Sequence, residues 1–133
     1  AQASGAWQAV SWRLAANYVD ADIAGLKPPQ SPDWSAVASL RWETTPTTSV
    51  AVDIAYESER FEDDLNTRVL SPALSVDLRA EQDITARVSV FAALDNAFDE
   101  AVETAETADG VESYDAPRTF RMGLRWRSPS PRG

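Results

Sequence analysis

The densest group of ionisable side chains lies between Asn96 and Pro117. The segment holds seven acidic residues and no basic one: Asp99, Glu100, Glu103, Glu106, Asp109, Glu112 and Asp115. Carboxylate oxygens in this number could hold a cationic ligand or Ca²⁺, which prefers oxygen ligands. A solvated surface loop explains the same composition more simply, and we favour that interpretation.

Other candidate sites in the sequence are weaker. The segment "DADIAG" at residues 20–25 is similar to the start of a Ca²⁺ loop, but it lacks the third ligand and the closing Glu. The acids of "ERFEDD" at residues 59–64 carry no sign of the fixed carboxylate separation that glycosidases need. The chain has no His and no Cys, which removes thiol chemistry, zinc sites of the usual kind and His-based acid–base catalysis. We therefore expect no enzyme, no cofactor and no resident metal.

A third group of charges sits in mid-strand positions, on one side of an alternating pattern. It comprises Arg13, Arg41, Asp53, Asp77, Arg79, Arg87, Arg121 and Arg125. Such charges need either water or partners of opposite sign. We expect them to share one wetted face of a sheet, where arginines and aspartates of neighbouring strands can pair.

The elements that carry these charges are predicted to be β-strands, because apolar residues recur with a period of two. Six strands are predicted, over residues 10–18, 34–42, 49–57, 73–81, 85–95 and 117–127, and Phe91 interrupts the polar side of the fifth. Short and long connections alternate between them, which predicts an all-β, antiparallel up-and-down meander. The good helix formers of "DEAVETAETAD" at residues 99–109 suggest a short helix in the last connection.

The apolar rows of these strands face either a protein core or lipid. A soluble antiparallel β-sandwich or barrel, acting as a binding module, is the alternative that periodicity leaves open. Trp34 and Trp42 are eight residues apart, which is roughly 26 Å along a strand. A strand tilted near 40° to the barrel axis would place them about 20 Å apart along that axis. This height is close to the roughly 25 Å apolar band of outer-membrane barrels. Seven aromatics near strand ends form the predicted girdle: Trp12, Tyr18, Trp34, Trp42, Tyr56, Phe120 and Trp126.

The residues in the middle of the apolar rows favour contact with lipid over burial in a protein core. Alanines such as Ala36 and Ala38 would fill a protein core poorly, whereas acyl chains adapt to small side chains. No apolar run approaches the roughly 18–20 residues of a membrane helix, which excludes helical spans only. Six strands cannot close a barrel, and open sheet edges are not tolerated in hydrocarbon. We expect an open part of a transmembrane β-barrel that belongs to a larger protein.

Two segments carry a family resemblance. "LDNAFDEAVE" and "PRTFRMGLRWR" resemble the end of TonB-dependent outer-membrane receptors, through Asn96, Phe98, Asp99, Pro117, Arg118, Phe120, Gly123 and Trp126. Residues 16–42 are also similar to a hairpin further upstream in that family. Arg121, Gly123 and Trp126 fit the family's assembly β-signal, but Ser128 stands where an apolar residue is usual. The polar, Pro-rich "SPSPRG" at residues 128–133 is interpreted as a tail, of the kind a frameshift or truncation produces.

The resemblance implies an active transporter for siderophores, vitamins, haem or glycans in the bacterial outer membrane. Residues 1–127 would supply the C-terminal strands of a barrel of about 22 strands with a plugged lumen. The partners implied are outer-membrane lipid, the rest of the barrel, a plug domain that contacts the TonB complex, and the barrel assembly machinery. The start of the chain is interpreted as internal, so that the plug lies upstream and the chain does not transport alone. The net charge of −9 argues against nucleic acid.

The resemblance also implies an orientation. The final strand ends in the periplasm in that family, so the long connections lie outside the cell and the short turns inside it. The charged face then faces the lumen, where Arg13, Arg41, Arg87 and Arg121 could line the path of an anionic ligand or bind the plug. We favour pairing of these four arginines with Asp53 and Asp77.

Overall fold

The structure is a computed structural model that describes residues 1–128. Seven strands form one antiparallel sheet in which every strand pairs with its neighbour along the chain. They are β1 (Gln2–Trp7), β2 (Val10–Tyr18), β3 (Trp34–Thr45), β4 (Thr48–Glu57), β7 (Ala73–Asp83), β8 (Val88–Asp95) and β11 (Thr119–Trp126). The up-and-down meander is confirmed, and the sheet does not close on itself.

Two small hairpins lie within the long connections. β5 (Arg60–Phe61) pairs with β6 (Val69–Leu70), and β9 (Glu103–Glu106) pairs with β10 (Glu112–Tyr114). Residues 1–128 contain no helix that is long and apolar enough to cross a membrane.

The register keeps the two kinds of side chain on separate faces. Val10 lies opposite Trp42, and Trp42 lies opposite Val50, so apolar side chains of three strands share one face. On the other face Arg41 lies between Ser11 and Ala51. A shift of one residue at any pairing would exchange the faces, which is why the alternating pattern specifies the register so strongly.

The connections divide by length between the two ends of the strands. Residues 8–9, 46–47 and 84–87 make three short turns at one end. Residues 19–33, 58–72 and 96–118 make three long connections at the other. We refer to these as the short-turn end and the long-loop end.

The last connection differs from its sequence-based expectation. The suggested helix in residues 99–109 is wrong, because this stretch contributes β9 of a hairpin. Gly110 turns the chain with φ +81°, a conformation open to glycine, and the Thr107 amide donates to the Val111 carbonyl at 2.9 Å. Tertiary pairing with β10 outweighs the modest helix propensity of the alanines.

The sheet is a single layer with little core. Four apolar residues are buried, Leu70, Ala73, Val76 and Ala93, and three of them lie at the long-loop end or beside it. The accessible surface is 9302 Å², whereas a compact protein of this mass exposes about 6,900 Å². The excess reflects an apolar face on which the large side chains of residues 1–128 remain exposed.

Candidate functional site

The apolar face presents mid-strand side chains that a soluble protein would bury. Leu14, Leu40 and Ile54 lie on three successive strands and are 48%, 44% and 39% exposed. Val52, Leu78 and Leu124 continue the same face across β4, β7 and β11. An apolar area of this extent marks a surface that contacts a partner or a membrane.

Aromatic side chains border this face at both ends of the strands. Tyr18, Trp34, Tyr56 and Phe120 lie at the long-loop end, and Trp7, Trp12, Trp42 and Trp126 lie at or near the short-turn end. All eight are exposed, and the rings of Tyr18 and Trp34 meet with centroids 4.7 Å apart. The structure thus puts the seven aromatics of the predicted girdle on one face, in two rows. It adds Trp7, which sequence reasoning missed because β1 lacks an alternating pattern.

The opposite face carries a chain of ion pairs. Arg79 Nη1 lies 3.0 Å from Asp53 Oδ2, and its other terminal nitrogen lies 4.0 Å from Asp77 Oδ2. Asp53 also accepts a hydrogen bond from the Ser39 hydroxyl at 2.8 Å. Asp77 instead accepts from the Asn96 amide at 3.0 Å and so helps to fix the start of the last connection.

A second cluster on this face joins β7, β8 and β11. Glu81 lies 2.6 Å from Arg125 and 3.0 Å from Arg127, and it accepts the Ser89 hydroxyl at 2.8 Å. Arg127 also reaches Asp83 at 3.1 Å. Glu81, Asp83 and Arg127 were not among the predicted site residues: Asp83 fell in a segment interpreted as a turn, and Glu81 and Arg127 were the last residues of predicted strands. The alternation with a period of two continues through residues 81–83, and this signal could have extended the predicted strand to Asp83.

The prediction that Arg13, Arg41, Arg87 and Arg121 pair with Asp53 and Asp77 is wrong, because Arg79 takes both carboxylates. Arg121 pairs instead with Asp95 at 2.5 Å, and Arg41 lies 3.8 Å from Glu43. Arg13 has no ion pair within the described residues. Arg87 was expected at mid-strand, but it lies in the turn before β8, because β8 begins only at Val88. Its carbonyl accepts the Arg127 amide at 2.8 Å, so it extends the pairing of the last strand.

The long connections are tied together by Arg60, which is only 8% exposed. Its guanidinium donates to Gln30 Oε1 at 3.2 Å and to the Glu103 carbonyl at 3.0 Å, and it lies 3.3 Å from Glu57 Oε2. The Gln30 amide in turn donates to the Phe61 carbonyl at 2.7 Å. One buried cation thereby joins residues of all three long connections.

Acidic side chains of the long connections cap the turns in which they lie. Residues 1–128 contain no group of three or more acidic side chains placed to hold a metal. Asp22 caps its own turn by accepting the Gly25 amide at 2.8 Å. Asp63 accepts the Thr67 hydroxyl at 2.6 Å and the Thr67 and Arg68 amides, and these hydrogen bonds, the hydroxyl foremost, lower its pKa to about 2.

The C-terminal segment contains the residues of the predicted β-signal and the start of the predicted tail. Arg121, Gly123 and Trp126 lie on β11, with Arg121 and Gly123 on the charged face and Trp126 on the apolar face. Of the predicted tail at 128–133, only Ser128 is among the described residues.

Comparison with known proteins gives a structural likeness without a sequence family. No family model matches the chain. No curated protein matches it either. Among solved structures, the fold is similar to the crystal structure of the siderophore receptor PiuA from Acinetobacter baumannii, with a TM-score of 0.81 over 92% of this chain and 15% sequence identity. The chain spans 20% of that receptor chain. At this identity the likeness establishes the fold: an antiparallel sheet that matches an open part of a barrel.

Proposed function

We propose that this chain is the C-terminal wall segment of an outer-membrane TonB-dependent active transporter for a siderophore, vitamin, haem or glycan. It acts only together with the remainder of its barrel and a plug domain, which links it to the TonB complex. The observation that carries the proposal is the exposed apolar face, bordered by aromatics at both strand ends and backed by a face of paired charges.

The two faces require two different solvents. Lipid covers the apolar face without cost, because acyl chains conform to leucine and alanine alike, and aromatic rings favour the membrane–water interface on either side. Water in a wide lumen solvates charges such as Arg79 and Arg121, whose side chains remain 54% and 60% exposed. A soluble β-sandwich would need a second layer over the apolar face, and the long connections pack with one another at the strand ends instead.

The remaining partners follow from this arrangement. Unpaired edges at β1 and β11 require neighbouring strands of the same barrel. The long-loop end lies outside the cell and the short-turn end in the periplasm, as in barrels with long outer loops and short inner turns. Arg121, Gly123 and Trp126 serve as the signal read by the barrel assembly machinery.

A matched pair of substitutions tests which face contacts lipid. Leu14 and Val37 lie at adjacent positions on β2 and β3, on opposite faces, and both are 48% exposed. In phosphatidylcholine vesicles or lipid-mimetic micelles, Leu14→Arg should lower the free energy of unfolding by about 2–4 kcal/mol, the cost of arginine near mid-bilayer. Val37→Arg should cost well under half of that, since its guanidinium meets water.

Urea titration, followed by tryptophan emission, measures the free energy of unfolding of both variants. Light scattering measures the size distribution of the unmodified chain with and without detergent. We expect a monodisperse species only in detergent. Equal costs for the two substitutions, together with a monodisperse chain in plain buffer, would reject the transporter and favour the soluble module.

A further inference from the structure

Charge compensation on the lumenal face is uneven across the sheet. Toward β7, β8 and β11 each arginine on this face has a carboxylate within 3.1 Å: Arg79 with Asp53, Arg121 with Asp95, Arg125 with Glu81, and Arg127 with Glu81 and Asp83. These pairs leave little net positive charge to act on a solute. In the C-terminal half of the face, each arginine charge is therefore neutralised by a nearby carboxylate.

Two arginines toward β1, β2 and β3 depart from this rule. Arg13 has no carboxylate partner within residues 1–128, and its cross-strand neighbours are Ser4 and Ser39. Arg41 lies 3.8 Å from Glu43 on its own strand, and its neighbours across the sheet are Ser11 and Ala51. The register sets the two guanidinium groups diagonally across β2 and β3, on one face.

Three hydroxyl side chains accompany the two arginines, and the acid beside Arg41 is Glu43, at 3.8 Å. Ser4, Ser11, Arg13, Ser39 and Arg41 line an open cavity of about 340 Å³, together with Trp12, Leu40, Ala51 and Asp53. The Asp53 carboxylate is already occupied, since it accepts from Ser39 and pairs with Arg79. The cavity thus combines two guanidinium groups with hydroxyl donors and keeps a net positive charge.

We propose that Arg13, Arg41 and the hydroxyls of Ser4 and Ser11 form a binding site for an oxyanion, the carboxylate or phosphate group of a small anionic solute. Guanidinium groups bind such oxygens through two parallel N–H donors, and hydroxyls satisfy the remaining lone pairs. Because a positive side chain on this face normally has a protein carboxylate, the two without a close one are available to a ligand. The proposal deepens the transporter function and rests on it for the site's place beside the lumen; anion binding itself depends only on the geometry.

The test uses the full chain in lipid-mimetic micelles with ¹⁵N-labelled arginine. The Nε–H signals are followed while inorganic phosphate or acetate is added, with sodium chloride at matched ionic strength as the reference. We expect saturable shifts at Arg13 and Arg41 with phosphate and with acetate, and smaller, non-saturating shifts with chloride. Shifts no larger than those in chloride would overturn the proposal.

Substitutions separate this site from a general response of surface arginines. Arg13→Gln with Arg41→Gln should weaken phosphate binding at least about fivefold, near the upper end of what an exposed ion pair supplies. Arg121→Gln with Arg127→Gln is the matched control, because it also removes two exposed lumenal arginines, both of which already have partners, and it should leave the affinity unchanged. Equal weakening by the control overturns the proposal. Tryptophan emission confirms folding of each variant. The arginine shifts and the phosphate affinities do not depend on whether Leu14 contacts lipid, so this proposal can fail while the transporter proposal stands.

Discussion

Phe91 is an aromatic residue among charges, and its position explains a nearby glycine. Its ring lies over Gly123 on the neighbouring strand, and a Cβ atom at that position would come within 2.9 Å of the ring. The guanidinium of Arg125 lies 5.8 Å from the centre of the same ring. The interruption of the alternating pattern at Phe91 is thus a packing feature, in which an aromatic ring covers a glycine of an edge strand.

Adding a methyl group at Gly123 tests this arrangement. Gly123→Ala should lower the free energy of unfolding by about 1–3 kcal/mol, because the ring of Phe91 must leave its position. In the double variant with Phe91→Ala the added methyl group should cost less than about 0.5 kcal/mol further, within the usual scatter for uncoupled sites. Urea titration in micelles measures the three variants. A full additional cost in the double variant would show that the added methyl group meets an obstacle other than the Phe91 ring.

Asp63 makes the turn at residues 63–68 sensitive to acid. Its pKa is lowered from 3.8 to about 2, so its charged form stabilises the folded turn. That stabilisation is complete above about pH 4 and is lost as the pH falls through about 2. The protection factors of the Thr67 and Arg68 amides, which correct for the intrinsic exchange rate at each pH, should therefore fall between pH 4 and pH 2, and Asp63→Asn should remove this dependence. A loss of protection centred well above pH 4 would contradict the assignment.

At the scale of elements, the sequence predicted six of the seven sheet strands and their order. It missed β1, because "QASGAW" has small and polar residues at the alternating positions and its pairing with β2 decides its conformation. It also missed both hairpins of the long connections, whose strands of two to four residues are too short for any periodic signal. Among the charges, the four arginines that were expected to pair with Asp53 and Asp77 do not, because Arg79 takes both carboxylates. In the second cluster, Asp83 lies beyond the predicted strand end at residue 81.

The long connections should behave as one unit because Arg60 contacts all three. Arg60→Gln removes contacts to Glu57 and to the Glu103 carbonyl, and truncating a buried charged partner is strongly destabilising. We expect amide exchange to accelerate at least about tenfold in all three connections, not only in residues 58–72. Arg118→Gln is the control, since Arg118 is half exposed and lies 3.8 Å from Asp99. An effect of Arg60→Gln confined to its own connection would contradict the coupling.

At the scale of the whole molecule, the charge is strongly polarised along the strands. The three long connections hold fourteen of the 21 acidic residues and four of the 12 basic ones, a net charge of −10, so the remainder carries +1. A field of this kind concentrates cations at the long-loop end and repels anions, and salt weakens both effects. The rest of the chain, which includes the arginines of the charged face, has no such excess of negative charge.

The last strand, β11, lies at an open edge of the sheet. The Arg127 amide donates to the Arg87 carbonyl, so the odd-numbered residues of β11 point their amides toward β8. By the alternation of antiparallel pairing, the amides of Phe120, Met122, Leu124 and Trp126 point to the free edge. In micelles at low protein concentration, these four should exchange with solvent at least about a hundredfold faster than those of Arg121, Gly123 and Arg125.

Protection of all seven amides would show that β11 already pairs with another strand, and its dependence on protein concentration would identify a second copy. Fast exchange restricted to the even positions is the result expected of an edge strand without a second neighbour. An edge of this kind is costly in hydrocarbon, because each unpaired amide loses its hydrogen bond to water. The same four side chains are among the most exposed of the apolar face, with Leu124 at 75%. A neighbouring strand that pairs with β11 would satisfy these four amides and so stabilise the chain, whereas the four side chains would remain on the apolar face.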